Sequence, residues 1–541
     1  MLGQMQDHPL LVSGLLRHAA RHHAGGEVVS RQLDGSLHRT TYAALEPRCR
    51  MLASALRTLD VAPGDRVGTL AWNGFRHLES YYAVSGMGAV VHTVNPRLAP
   101  DDIAFILRDG GDVVLLAEPC FASLVETVAP DAGAGLRAVV MMCEARDMPP
   151  VALPPGVALL CYETLLEEAK GASFDWPLLD ERAASSLCYT SGTTGRPKGV
   201  LYSHRSTVLH AYAVNQADVF GLRSADRAMP VVPMFHVNAW GLPYAAVAAG
   251  TSLIFPGRHL DGPNVHDLLT RERVTFSAGV PTVWQGLLQF LRQSGQRLPG
   301  PLRLVCGGSA CPPALIDAFR EEQGVTIFHA WGMTETSPLA TFASPKGDID
   351  DKAASYKQGR AVAGVDVKIV DDSGRELPWD GVAFGNLLVR GPWVNRRYFN
   401  APEDATDKEG WFGSGDVATI DPNGVLHITD RTKDVVKSGG EWISSIALEN
   451  IAVEHPAVAE AAVVAARHPK WDERPLLIVV PRAGAAVTRE EMLALYPGRV
   501  AKWWTPDDVV VVDELPHTAT GKINKLALRQ RFKDYKLAGT E

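Results

Sequence analysis

The run Tyr189-Thr190-Ser191-Gly192-Thr193-Thr194-Gly195-Arg196-Pro197-Lys198-Gly199 packs hydroxyls, glycines and a lysine directly behind the strand-like stretch Ala183 to Cys188. Glycines let a backbone curl so that its amides converge on phosphate oxygens, threonine hydroxyls add donors or reach a metal ion, and lysine supplies charge. The chemistry suits a polyphosphate. The GxxxxGK[ST] loop is absent, and Gly521-Lys522 is followed by Ile523. Composition alone also fits a solvated linker of small polar residues.

A second cluster, Phe328-His329-Ala330-Trp331-Gly332-Met333-Thr334-Glu335-Thr336, sets a carboxylate among hydroxyls after an aromatic. Glu335 could hold Mg²⁺ against phosphate oxygens and Thr334 could donate to the α-phosphate, although a solvated turn with a capping Glu has the same spelling. A third, Gly415-Asp416 with Arg431, offers a carboxylate that could accept two ribose hydroxyls. Asp after Gly is also common in turns.

These residues need a scaffold, and the chain is long enough for several domain-sized units: 541 residues, 46% hydrophobic and 21% charged. Disorder is excluded by that composition. With 53 Lys plus Arg against 61 Asp plus Glu, net charge −8, no global basic field draws nucleic acid, and anionic ligands must be met by local cations. The scattered cysteines Cys49, Cys120, Cys143, Cys161, Cys188, Cys306 and Cys311 contain no CxxC pair, which argues against a disulfide framework or zinc site and for a cytoplasmic, reducing setting. The N-terminal stretch does not spell a signal peptide, and the apolar run from Ala239 to Phe255 is broken by Gly241, Pro243 and Gly250, so neither export nor a transmembrane segment is expected.

From about residue 40 to 330, helical stretches such as Tyr42 to Leu59 alternate with short apolar runs such as Val113 to Ala117, Ala138 to Met142 and Leu302 to Val305, a pattern that predicts α/β architecture. Residues 361–430 switch to β-like runs, with Val417 to Ile420 and Val425 to Thr429 flanking Asp421-Pro422-Asn423-Gly424 as a hairpin. After the charged stretch at 431–434, Ser444 or Ser445 predicts a helix cap, Ala461 to Ala465 and Leu476 to Val480 predict strands, and Thr488-Arg489-Glu490-Glu491 spells a capping box. The expected division is an N-terminal domain over 1–430, a hinge at 431–434 and a small mobile α+β domain over 435–541.

In their order and spelling the clusters resemble the adenylate-forming (AMP-binding) superfamily: Tyr189 to Gly199 its phosphate loop, Trp331-Gly332-Met333-Thr334-Glu335 its [YW]-G-x-T-E motif, and Trp411-Phe412-Gly413-Ser414-Gly415-Asp416 its ribose motif. Asp430-Arg431-Thr432-Lys433 resembles the hinge and Pro516-His517-Thr518-Ala519-Thr520-Gly521-Lys522 the C-terminal lysine motif. Trp331 and Met333 stand where tyrosine and leucine are more frequent. Pro233-Met234-Phe235-His236-Val237-Asn238-Ala239-Trp240, Ala278 to Trp284 and Lys437-Ser438-Gly439-Gly440-Glu441-Trp442 look most like bacterial medium- and long-chain fatty acyl-CoA synthetases and the related methylmercaptopropionate-CoA ligases.

The resemblance implies ATP, Mg²⁺ and coenzyme A, a fatty acid or other small carboxylic acid, and two half-reactions. The carboxylate attacks the α-phosphorus to give acyl-AMP and pyrophosphate; the thiol of coenzyme A then displaces AMP. A variant of the chemistry loads a carrier protein instead. Lys522, Glu335, Thr190 and His236 would be catalytic, with Thr190 and Glu335 on the metal. Ser191, Gly192, Thr193, Thr194, Gly195 and Lys198 would meet phosphates, Gly308, His329, Ala330, Trp331 and Thr334 the adenylate, and Asp416 the ribose. Arg431, Lys433, Lys437, Gly439, Gly440, Trp442 and Lys525 would act from the hinge and small domain, whose rotation exchanges Lys522 for the Gly439-Gly440 turn. Val237 and Trp240 would be cofactor-binding, and for Trp240 core packing and lining of an acyl tunnel are both open readings. Homodimers in the resembled long-chain branch extend the expectation to a homodimer.

Overall fold

The computed structural model describes residues 1, 3–190, 196–344, 352–439, 441–518 and 523–537. The fold is mixed α/β, a large N-terminal part followed by a small C-terminal domain. Helices of the large part bury one stripe each. In Tyr42–Thr58 the fully buried Leu45, Cys49, Leu52 and Leu56 recur at helical spacing, and Thr41 caps the start by accepting from Ala44 N.

Among the described residues two largely parallel sheets form. A seven-stranded one runs in the order Ala158–Cys161, Ala138–Met141, Asp112–Ala117, Arg66–Leu70, Val90–Thr93, Ala184–Tyr189, Gly199–Ser203, with only the last antiparallel. A nine-stranded one is centred on the parallel strands Thr326–Gly332, Arg303–Cys306, Phe276–Gly279, Arg227–Pro230, Ser252–Phe255 and Glu27–Arg31. Apolar burial on both faces explains why their strands read as continuous hydrophobic runs. In such sheets the loops at the carboxyl ends of strands form the binding crevice, and Thr190, Gly308 and Thr334 all sit there.

Residues 366–431 form a four-stranded antiparallel sheet of Asp366–Val370, Phe384–Arg390, Phe412–Ile420 and Leu426–Arg431. The expected hairpin is present: Asp421 Oδ1 accepts from the amides of Asn423 and Val425, both at 2.9 Å, and Gly424 takes φ 74°. The register sets Asp416 opposite Arg431.

Beyond it a separate five-stranded sheet forms around the long antiparallel pair Val458–His468 and Asp472–Pro481. Ser444 caps the helix Ser445–Val453, and the Thr488–Glu491 capping box is closed in both directions. No helix among the described residues is long and apolar enough to cross a membrane.

Candidate active site

The phosphate hairpin is closed at its base by Thr190, whose amide donates to Lys198 O at 2.9 Å and whose hydroxyl accepts from Lys198 N at 3.3 Å. Its return strand carries Tyr202, buried, whose hydroxyl donates to Thr334 O at 2.7 Å. The hairpin and the Thr334-Glu335 turn are thereby one structure. Glu335 is buried, and Oε1 accepts from the Tyr398 hydroxyl at 2.7 Å. Ser191, Gly192, Thr193, Thr194, Gly195, Gly440 and Lys522 lie outside the described residues.

On the nucleoside side, Gly307 and Gly308 follow the strand Arg303–Cys306. A Cβ on Gly307 would come within 2.8 Å of Ala330 O, so only glycine lets the two strand ends approach this closely. Gly308 takes φ 80°. Trp331, on the neighbouring strand, donates its indole N–H to Asp416 Oδ2 at 2.9 Å, and Arg431 Nε lies 2.7 Å from Oδ1. The sugar-holding candidate is thus joined to the adenine-side motif although they are far apart in sequence. His329 is buried with both ring nitrogens on backbone groups, Cys311 N and Tyr356 O, and burial pushes its pKa down to about 4. It supports the loop as a neutral ring.

The candidate acyl segment contains a left-handed turn. Val237, Asn238, Ala239 and Trp240 take φ of 47°, 50°, 48° and 57°, followed by Gly241 at 74°. Each L-residue in that region costs roughly 1–2 kcal/mol, so the surroundings must hold it. Asn238 does so: Nδ2 donates to Ser186 Oγ at 3.0 Å while Oδ1 accepts from Tyr81 at 3.2 Å and Cys188 Sγ at 3.4 Å. Asn73 pins the preceding residues by accepting from Met234 N and donating to Pro230 O and Val232 O. The turn seats the Trp240 ring against Gly307, where an added Cβ would stand 3.1 Å from the indole. His236, partly exposed, stands just before it.

Arg431 apart, the described hinge and small-domain candidates are placed elsewhere. Lys525 Nζ is 2.7 Å from partly buried Glu449 and donates to Ser445, and the Lys433 carbonyl accepts from Arg529. Lys437 lies over the Trp442 ring, which packs on Phe384 of the antiparallel sheet. Gly439, φ 60°, donates to Trp471 O. Asp430 is buried and bonded to the start of the helix Ser445–Val453, from Ser445 N at 2.5 Å and Ser445 Oγ at 2.9 Å.

Three groups at the site escape sequence reasoning. Tyr398 is bonded to the expected metal residue Glu335, and Asn238 holds the turn that carries Val237 and Trp240, but neither belongs to a motif whose chemistry reads from spacing. Arg97 lays its guanidinium 5.3 Å from the Trp72 ring centre and 5.7 Å from that of Phe235; Trp72 and Arg97 follow the carboxyl ends of the paired strands Arg66–Leu70 and Val90–Thr93, and Phe235 follows Arg227–Pro230 of the other sheet. Among the described residues no carboxylate pairs with it. Only the carboxyl-end rule could have pointed there.

Two largely parallel sheets and an antiparallel one, with the three motifs linked through Tyr202–Thr334 and Trp331–Asp416, make up the architecture of an adenylate-forming enzyme. Residues 16–399 match the AMP-binding enzyme family and 447–522 its C-terminal domain, and the chain belongs to that family. It is 49% identical to the 3-methylmercaptopropionyl-CoA ligase of Ruegeria lacuscaerulensis, over 99% of both chains. It is 46% identical to the medium-chain-fatty-acid–CoA ligase of Ectopseudomonas oleovorans, over 99% of this chain and 98% of that one. The solved anthranilate CoA ligase AuaEII in complex with anthranoyl-AMP superposes with TM-score 0.87 at 26% identity, over 98% and 99% of the two chains.

Proposed function

We propose that the protein is a cytoplasmic, ATP- and Mg²⁺-dependent acid–CoA ligase that activates an acid with an apolar, unbranched tail, of medium to long chain, through acyl-AMP. The observation that carries this reading is the joining of three motifs by Tyr202–Thr334, Tyr398–Glu335 and Trp331–Asp416. Asp416 holds the ribose, Ala330, Trp331 and Gly308 receive the adenine, and Thr334 donates to the α-phosphate.

In the first half-reaction two anions must meet, so positioning and cations carry the rate. Lys522 bridges the carboxylate and α-phosphate oxygens when the small domain is closed, and Lys198 meets the outer phosphates. The donors fit magnesium. Glu335 and the Thr190 hydroxyl are hard oxygen ligands of the kind magnesium takes alongside substrate phosphates. When bound, the ion neutralises charge on the phosphates. Rotation about 431–434 then withdraws Lys522, and the Gly439-Gly440 turn admits the pantetheine arm. Arg97 on its aromatic rings offers a local cation to the coenzyme's phosphates.

A second reading, 3-methylmercaptopropionate as the acid, is favoured by the 49% identical Ruegeria relative. Sulfur replaces a methylene in that acid, so it is the length equivalent of pentanoate, and the two readings differ in pocket depth. Pyrophosphate release with straight-chain acids of three to eighteen carbons and the thioether acid separates them: a maximum at eight carbons or more supports the first, and equal preference for pentanoate and the thioether supports the second. No pyrophosphate release with any acid refutes both.

A further inference from the structure

We infer that Tyr398 is a positioning residue for adenylation, which fixes the Glu335 carboxylate and keeps it apart from Lys198; the inference rests on the proposed metal role of Glu335. Its hydroxyl donates to Glu335 Oε1 at 2.7 Å, and the Lys198 ammonium lies 4.9 Å from its ring centre. One side chain therefore touches both the acid proposed to hold the metal and the cation proposed to meet the phosphates. Its backbone is fixed to the same two places. Phe399 N donates to Gly199 O at 2.8 Å, next to Lys198, and Asn395 N donates to Glu335 O at 2.6 Å. The ring packs on buried Cys188, Val200 and Tyr202 of the phosphate hairpin.

The arrangement solves an electrostatic problem. A lysine and a glutamate in one partly desolvated cleft attract each other strongly, and a direct ion pair would withdraw the cation from phosphate and the carboxylate from metal at once. No such pair exists among the described residues. The aromatic face satisfies the ammonium by cation–π attraction, and the hydroxyl occupies one carboxylate oxygen, leaving Oε2 without a partner among the described residues. The hydroxyl thereby selects a single carboxylate orientation.

Tyr398→Phe keeps the ring under Lys198 and removes only the hydroxyl. Binding of Mn²⁺ to the complex with a non-hydrolysable ATP analogue, read by electron paramagnetic resonance, is expected to weaken about tenfold. Acid-dependent pyrophosphate–ATP exchange falls in kcat while KM for the acid is unchanged, and thioester formation from supplied acyl-AMP stays at the wild-type rate. Glu335→Gln serves as reference. If Glu335→Gln leaves Mn²⁺ affinity intact, the metal reading fails and takes the inference with it. If Glu335→Gln weakens Mn²⁺ binding and Tyr398→Phe matches wild type, the inference alone is overturned. Equal loss of both half-reactions in Tyr398→Phe also overturns it, since that is a folding defect.

Discussion

The indole N–H of Trp331 stands 2.9 Å from Oδ2 of Asp416, a residue only 2% exposed, while Arg431 occupies Oδ1. A carboxylate held at both oxygens keeps one orientation, which suits the proposed recognition of a vicinal diol. A tyrosine at 331, the more frequent residue in the resembled motif, carries no donor at the indole position, so this chain fastens the aspartate from the adenine side.

Trp331→Phe keeps an aromatic face and deletes the donor. A hydrogen bond to a charged group is worth about 1.5–3 kcal/mol, so ATP affinity by calorimetry is expected to fall roughly tenfold or more, with the acid KM little changed. Unaltered ATP affinity would leave Arg431 as the sole organiser of Asp416.

Asn238→Ala removes the amide that holds the left-handed turn and strands the Ser186 hydroxyl in the interior. Stability should fall by about 1–3 kcal/mol, and the KM for the acid should rise more than that for ATP, because the turn seats Trp240, a candidate lining of the acyl tunnel. A melting temperature and acid KM equal to wild type would show that packing alone sustains the turn.

The two half-reactions should separate by mutation. Lys522→Ala is expected to lose pyrophosphate–ATP exchange by a factor of about 10²–10³ yet convert supplied acyl-AMP to thioester. Arg97→Ala should behave oppositely, raising KM for coenzyme A with exchange intact. Parallel losses in both assays for Lys522→Ala would refute domain rotation.

Four buried histidines make the fold acid-sensitive. Burial holds His210 at about 3 and His77, His204 and His329 at about 4, against an ordinary value of 6.5. The unfolded chain takes up these protons as pH falls below 6.5, whereas the fold resists them, so stability is full above 6.5 and is lost from there down through about 4. Each residue adds a slope of about 1.4 kcal/mol per pH unit within that window. His210 Nε2 accepts from Leu339 N, just beyond the Glu335 turn, so its protonation also breaks a bond near the site. His210→Gln, which retains an acceptor, should flatten the dependence of the urea midpoint on pH between 6.5 and 4.5. Identical slopes for variant and wild type would contradict the assignment.

What could be read from sequence was whatever is local. The capping box at Thr488–Glu491, the Asp421 to Gly424 turn and the Ser444 cap are each completed within four residues, and each is present. Residue types alone also named Glu335 and Asp416 as candidates, and the family resemblance added Thr190. Tyr398, Asn238 and Arg97 were not legible, because a tyrosine beside two arginines or an asparagine in an apolar run acquires meaning only from a partner on another strand. The run at Ala239 to Phe255 shows the same limit. Its glycines marked breaks, but nothing in it announced four successive L-residues in a left-handed turn, since that conformation is imposed by Asn73, Tyr81 and Ser186 from other elements.

Asp430 belongs to the large part through its backbone, paired with Val417, and to the small domain through its side chain, bonded to Ser445. A rotation that parts Ser445 from Asp430 unfastens a desolvated carboxylate and wets it in each catalytic cycle. The speed of reopening would then be governed by this anchor, remote from every reacting atom, and substitutions at Ser445 would tune turnover without altering what the enzyme binds.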